Sequence, residues 1–287
     1  MTRFRRLTGL GLLITALACA HSAWAGTTRI TWHGHAAFEI ETPRGRVLFI
    51  DPWLNNPRNP AVDKDTVAVE GVDRADYILL THAHPDHVGD AVPLAEKTGA
   101  RLITSFELGT QLGRLLGYPE DQMGYDTLMN IGGSIRVADG EVTVHMTPAV
   151  HSSGLRLPDP GPDMPSIVYG GNPAGFVVEI HNGPTIYHTG DTAYFSDMRL
   201  IGEHHRPDVA LINSGGHFGM EPARAAEAAK AVRATMVVPH HYGTFPVLAP
   251  DAREFARHIE ALEGVDVRVL EPGDSLTVET RAPEKEM

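Results

Sequence analysis

Four side chains able to bind a metal ion, His82, His84, Asp86 and His87, fall within the six-residue run His82-Ala83-His84-Pro85-Asp86-His87. On one strand or one helix, consecutive side chains point in different directions and cannot all converge on a point. A tight loop leaving a strand can turn them inward together. The flanking residues supply such a loop. Asp76-Tyr77-Ile78-Leu79-Leu80 is largely apolar and reads as a buried strand. Val88 to Lys97 reads as a helix, with Asp86 near its N-terminus. Imidazole and carboxylate donors together favour zinc, iron or manganese over calcium or magnesium.

If this cluster binds metal, further ligands are expected at later strand ends. His151 follows a strand at 141–147, Asp191 follows one at 185–188, and His241 follows one at 236–238. The neighbouring His240 competes with His241 for the last position. His35, between the first two strands, and His217, at a glycine-rich strand end, are read as substrate contacts. His145, His181, His188, His204, His205 and His258 are read as structural or surface residues.

The elements that must position these residues alternate in type. Strands are expected at Thr28 to Trp32, Ala36 to Glu41 and Arg46 to Ile50, and again at Arg101 to Thr104. Phe106 to Leu116 reads as a helix with Leu108, Leu112 and Leu115 on one face. Asp139-Gly140 and Asn182-Gly183 mark two hairpins. Residues 154–173 carry five prolines and four glycines and read as one long binding loop. Helices are expected at Ser196 to His204, at Glu221 to Val232 with Pro222 in the first turn, and from a cap at Asp251 to Leu262. Strands near Val265–Leu270 and Ser275–Val278 close the chain. The order strands, helices, strands, helices suits two β-rich halves packed as a sandwich with helices outside.

Residues 1–25 read as a secretory signal peptide. Arg3, Arg5 and Arg6 precede an apolar run from Leu7 to Ala20, and Ala23-Trp24-Ala25 offers small residues for cleavage. The run is shorter than the roughly 20 residues a membrane span needs, so no stable span is expected after cleavage. Arg5-Arg6 and Cys19 leave twin-arginine export and lipid anchoring as alternative routes. The remainder reads as one domain, 26–280, with a charged tail at 281–287, and as a periplasmic or secreted protein. Cys19 is the only cysteine, so the mature chain has no thiol nucleophile, disulfide or thiolate ligand. Removing three arginines and no acid takes the formal net charge from −12 to −15. Such a charge repels phosphate backbones, so a small-molecule substrate is expected and nucleic acid is not.

The spacing His82-x-His84-x-Asp86-His87, followed in order by His151, Asp191 and His241, resembles the metallo-β-lactamase superfamily. The resemblance implies an α/β fold, an αββα sandwich with a dinuclear site at one end. His82, His84 and His151 would hold one metal; Asp86, His87 and His241 the other; Asp191 would bridge. The cofactor implied is two divalent ions, zinc ahead of manganese or iron. A nearer resemblance, carried by Met129-Asn130-Ile131-Gly132-Gly133, His151-Ser152-Ser153, Gly215-Gly216-His217-Phe218 and His241-Tyr242-Gly243-Thr244-Phe245-Pro246, is to a widespread set of metal-dependent hydrolases with a bridging aspartate. Those relatives are usually cytoplasmic, so the leader here is a departure.

The chemistry implied is hydrolysis of an ester, lactone, amide or phosphoester by water activated between two metals. Asp86 would orient that water and take its proton, and His217 could donate to a developing oxyanion. Two rival readings are a mononuclear-iron oxidoreductase of the persulfide dioxygenase type and a non-catalytic metal- or ligand-binding protein.

Overall fold

The computed structural model describes residues 26–62 and 68–279. The expected leader at 1–25 and the tail at 281–287 lie outside the described residues. Among those described, no helix is long and apolar enough to cross a membrane.

In chain order the strands are β1 (Thr27–Trp32), β2 (Phe38–Glu41), β3 (Val47–Ile50), β4 (Tyr77–Leu79), β5 (Arg101–Ser105), β6 (Leu128–Met129), β7 (Ser134–Val137), β8 (Val142–Pro148), β9 (Gly154–Arg156), β10 (Ile167–Tyr169), β11 (Ala174–Ile180), β12 (Thr185–His188), β13 (Val209–Asn213), β14 (Met236–His240), β15 (Asp266–Val267) and β16 (Ser275–Glu279). The helices are α1 (Pro85–Val88), α2 (Ala91–Thr98), α3 (Phe106–Gln111), α4 (Met198–His205), α5 (Pro222–Val232) and α6 (Arg253–Glu260). One sheet has the order β16-β1-β2-β3-β4-β5-β6, the other β15-β14-β13-β12-β11-β8-β7.

Alternation along the strands decides the layers. Ile30, Trp32, Phe38, Ile40, Leu48 and Ile50 from the first sheet meet Val142, Val144, Phe176, Val178, Ile186 and Leu211 from the second, all buried in one core. The intervening residues face outward. Phe49, Ile78 and Leu102 pack on Val88, Leu94 and Leu108 of α1, α2 and α3. Val177, Tyr187, Ala210 and Val237 pack on Met198, Ala229 and Phe255 of α4, α5 and α6. Burying each of these large side chains contributes about 1.5–3 kcal/mol. The result is the αββα sandwich that the sequence led us to expect.

The connections put one rim of the sandwich to use. β3, β4 and β5 are parallel, as are β12, β13 and β14. The carboxyl ends of parallel strands lie at one edge of their sheet, the usual place for a ligand site in such sheets. Asp51, Thr81, Asp191 and His241 all follow such ends.

Four local expectations are corrected. The helix expected over 88–97 is broken at Gly89, whose φ of 42° and ψ of −118° are closed to side-chain-bearing residues and which turns beneath Trp53. The helix expected over 106–116 continues past Gln111 as a π-helical turn, Leu112–Leu116. The loop expected at 154–173 contains an antiparallel pair, β9 and β10. Strand β14 runs through Pro239 because β15 ends opposite Val237, leaving no partner to miss the proline N–H.

Gly89→Ala tests the break. A Cβ there would lie 2.5 Å from Trp53 Cα, whereas one at Gly99, also at positive φ, meets nothing within 4 Å. Urea denaturation should show a loss of about 2–3 kcal/mol for Gly89→Ala and about 1 kcal/mol for Gly99→Ala.

Candidate metal centre

At the rim of the sandwich, His82, His84 and His151 bring ligand atoms within 4.8 Å of one another, as do His35, Asp86, His87 and His241, and as do His82, His87 and Asp191. Asp191 lies between the first two groups. Its Oδ2 is 3.2 Å from His87 Nε2, 2.9 Å from His241 Nε2 and 3.7 Å from His151 Nε2. The seven residues expected as ligands are thus gathered in one place. His240 is not among them; on β14 it faces the core and stacks on His188 at 4.6 Å.

The loop is held from behind. Asp51, wholly buried, accepts from Thr81 N at 2.8 Å and Thr81 Oγ1 at 2.6 Å. Its Oδ2 lies 2.8 Å from His87 Nδ1. This fixes the His87 ring with Nε2 toward the cluster, the orientation that a carboxylate behind a metal-ligating imidazole imposes. Ser153 ties in the loop that carries His151: its Oγ accepts from Ala83 N and donates to Gly170 O, at 3.1 and 3.0 Å. His84 Nε2 lies 3.2 Å from Ser152 Oγ.

His35 has a different place from the one expected. It is fully buried and does not line the cavity above the cluster. Its Nε2 is 3.0 Å from Asp86 Oδ2 and its Nδ1 is 2.6 Å from Thr244 Oγ1. It therefore positions Asp86 and is closed to substrate. His217 is corrected as well. It is exposed, lies outside the cavity lining and stacks edge-on against Phe218, which does line it. Asp51 went unassigned in the sequence reading, although an acid directly after an apolar strand and next to Pro52 is a usable signal.

The electrostatics divide the cluster. Burial holds the imidazoles of His82, His84 and His151 below their ordinary range, so they are neutral at pH 7, the form that metal ligation requires. Burial alone would lower His87, but the Asp191 and Asp51 carboxylates outweigh it and raise His87 well above the ordinary value. Burial and the facing His241 push His35 down to about 4. A neutral His35 can accept from Thr244 Oγ1 and donate to Asp86. Burial opposes ionisation of Asp86, yet the His35 hydrogen bond and the His87 charge hold its carboxyl below the usual carboxylate range. Asp191 is likewise held well below it, against burial, by His241 and His87.

His87 Nε2, His241 Nε2 and Asp191 Oδ1 are buried without hydrogen-bond geometry to any partner. Leaving such atoms unmatched costs about 1–3 kcal/mol each. A cation among them would offset that cost, and nitrogen and carboxylate donors suit a first-row transition metal. The residues present therefore fit the two ions expected.

Above the cluster lies a cavity of about 590 Å³ lined by Trp53, His84, Pro85, Asp86, His151, Ser152, Asp191, Phe218 and Phe245. Trp53 and Phe245 stack at 5.7 Å and form one wall. Among the described residues, no lysine or arginine contributes to this lining.

Asp51→Asn should lower metal affinity about 10–100-fold with the fold retained, as expected for losing a carboxylate that orients a ligating imidazole. Competition with a chromogenic chelator measures it. Unchanged affinity would remove Asp51 from the site's support.

A model of the β-lactamase superfamily domain matches residues 46–242. A UPF0173 metal-dependent hydrolase from Thermodesulfovibrio yellowstonii is 46% identical over 245 residues, 85% of this chain and 89% of that protein. Another, from Anaeromyxobacter sp., is 51% identical over 250 residues, 86% of each. Among solved structures, Igni18, described as a novel metallo hydrolase from the archaeon Ignicoccus hospitalis, is similar with a TM-score of 0.74 and 35% identity, covering 89% of this chain and 100% of that one.

Proposed function

Because the chain belongs to the UPF0173 metal-dependent hydrolases of the metallo-β-lactamase superfamily, we propose that it is a dinuclear zinc hydrolase acting on apolar esters, lactones or amides. The observation that carries this reading is the cavity itself. Its floor is His84, Asp86, His151 and Asp191; its walls are Trp53, Phe218 and Phe245. An aromatic wall with no cation among the described residues suits a neutral, apolar substrate and disfavours a phosphoester.

His82, His84 and His151 would hold one ion, Asp86, His87 and His241 the other, with Asp191 shared. When bound, two such ions supply Lewis acidity that activates water near neutral pH and polarises the scissile bond. Asp86 is ionised, partly open to the cavity and fixed by His35, so it can orient the attacking water and accept its proton. Trp53, Phe218 and Phe245 exclude bulk water from the apolar part of the substrate. Ser152, beside His84, can donate a hydrogen bond to the substrate.

Metal analysis beside a hydrolysis panel tests the proposal. The rim cluster should account for about two zinc ions per chain, and Asp191→Ala should lose those ions and activity together. Phe218→Ala should raise KM for aryl esters about tenfold, a change of roughly 1.4 kcal/mol, with kcat little altered. One iron per chain with no hydrolysis would overturn the reading in favour of the mononuclear-iron oxidoreductase.

Export belongs to the same proposal and rests on the composition of residues 1–25. Expression of the full-length gene should yield periplasmic or secreted protein whose sequenced N-terminus is Gly26. An intact Met1 in the cytosol would refute it.

A further inference from the structure

His145 on β8, Glu179 on β11 and His205 at the end of α4 meet on the outer face of the second sheet. The register places His145 opposite Val177, and Glu179 lies two residues on from Val177, so both point away from the sandwich core. α4 packs across this face and delivers His205 from its last position. His145 Nε2 is 3.2 Å and His205 Nδ1 is 3.1 Å from the same oxygen, Glu179 Oε1. The two imidazole rings are 4.6 Å apart. Ligand atoms of all three residues lie within 4.8 Å of one another.

We propose that His145, Glu179 and His205 form a separate binding site for one first-row divalent transition ion, with zinc the expected occupant. Three observations support it. The first is the donor set: two imidazoles and a carboxylate match zinc, nickel or copper and are poor for calcium or magnesium. The second is His145 Nε2, which is screened from solvent yet lacks hydrogen-bond geometry to any partner, although the Glu179 carboxylate is beside it. That nitrogen faces the other two donors and is unsatisfied by them. The third is exposure: the three side chains are 25%, 41% and 20% exposed, so an ion can enter from solvent and keep water at a fourth position.

The site is distinct from the rim cluster. Glu179 pairs with Thr185 at the start of β12, while Asp191 lies beyond His188 at its end. The run of β12 from Thr185 to His188 alone separates them by about 10 Å. None of the three residues lines the rim cavity. An ion here would act as a clamp. It would join the end of α4, just before the chain reverses at Arg206 into β13, to the β8–β11 pair. Binding only the folded chain, it would raise stability with zinc concentration.

The test uses the full chain, stripped of metal and titrated with zinc. Wild type should bind one more ion than His205→Ala and one more than Glu179→Gln, and zinc should raise its melting temperature further than theirs. The count is read as a difference, so it does not depend on how many ions the rim cluster holds. Circular dichroism and the ester-hydrolysis rate of both variants should match wild type, since neither residue touches the cavity. His145→Gln provides a third variant should one of the others fold poorly. In crystals grown with zinc, an anomalous peak should appear about 2.0–2.2 Å from His145 Nε2, His205 Nδ1 and a Glu179 oxygen. Equal stoichiometry in wild type and variants, or no anomalous peak at saturating zinc, would overturn the proposal and leave the triad as an ionic contact.

Discussion

The buried carboxylate of Asp51 is the constraint on which the rim cluster depends. A wholly buried carboxylate is tolerable only when its oxygens are met by donors. Here Thr81 supplies two, through N and Oγ1, and the His87 ring faces the same group. Each contact joins a different piece of chain. Asp51 ends β3, Thr81 ends β4, and His87 belongs to α1. The Thr81 carbonyl in turn accepts from Ala174 N, which carries the restraint to the second sheet through β11. One charge thereby aligns both halves of the sandwich where the metal ligands must converge. Replacing it by an apolar residue would leave the Thr81 N–H without its partner in a site that water does not reach.

The same rim stores strain. His35, Asp51 and His241 all have positive φ, at 52°, 47° and 63°, a region that costs side-chain-bearing residues about 1–2 kcal/mol each. Two of them hold each other: His241 N donates to His35 O at 2.9 Å. Their rings stand 3.9 Å apart. Such strain persists only where the surroundings over-determine the conformation. Here the surroundings are two packed sheets, and the unmatched atoms of His87, His241 and Asp191 add to the cost. The binding energy of cations would therefore also be folding energy.

The residue types of the rim were legible in the sequence; their roles were less so. His82-x-His84-x-Asp86-His87 announces itself because so many donors in so few residues have no structural use. His151, Asp191 and His241 could be placed because strand ends are readable from alternation. Which way a ring points is another matter. His35 and His217 each follow a strand in a glycine-containing turn, and nothing local says that one is walled in by Trp53, Thr244 and Phe245 while the other stands in solvent. For His35 that outcome depends on Thr244, 209 residues further along the chain. Strands β9 and β10 were hidden by the prolines around them, since composition reports the turn and not the pairing. The break at Gly89 escaped because its cause is tertiary, the approach of Trp53. His145 and His205 read as structural or surface residues, and Glu179 carries no local signal, for the same reason: only the folded register of β8 against β11, and the end of α4, bring them together.

Charge balance at the rim bears on what the enzyme can accept. In the dinuclear state we propose, two divalent ions would bring four positive charges, and Asp86 and Asp191, both held ionised, would return two. The remaining excess would lie deep in the cluster, while the cavity walls above it are aromatic and, among the described residues, carry no lysine or arginine. The chain as a whole is strongly acidic, with a formal net charge of −12. An anion approaching through solvent would meet repulsion at long range and, among the described residues, no cation on the wall to compensate. A neutral acyl group, the substrate we propose, would meet neither obstacle: its apolar part would gain from burial against Trp53 and Phe245, and its carbonyl oxygen would lie toward the residues that would hold the ions. Charge developing in the transition state would then be stabilised more than the neutral ground state. On the function we propose, the arrangement would favour substrates that become charged during the reaction over those that arrive charged.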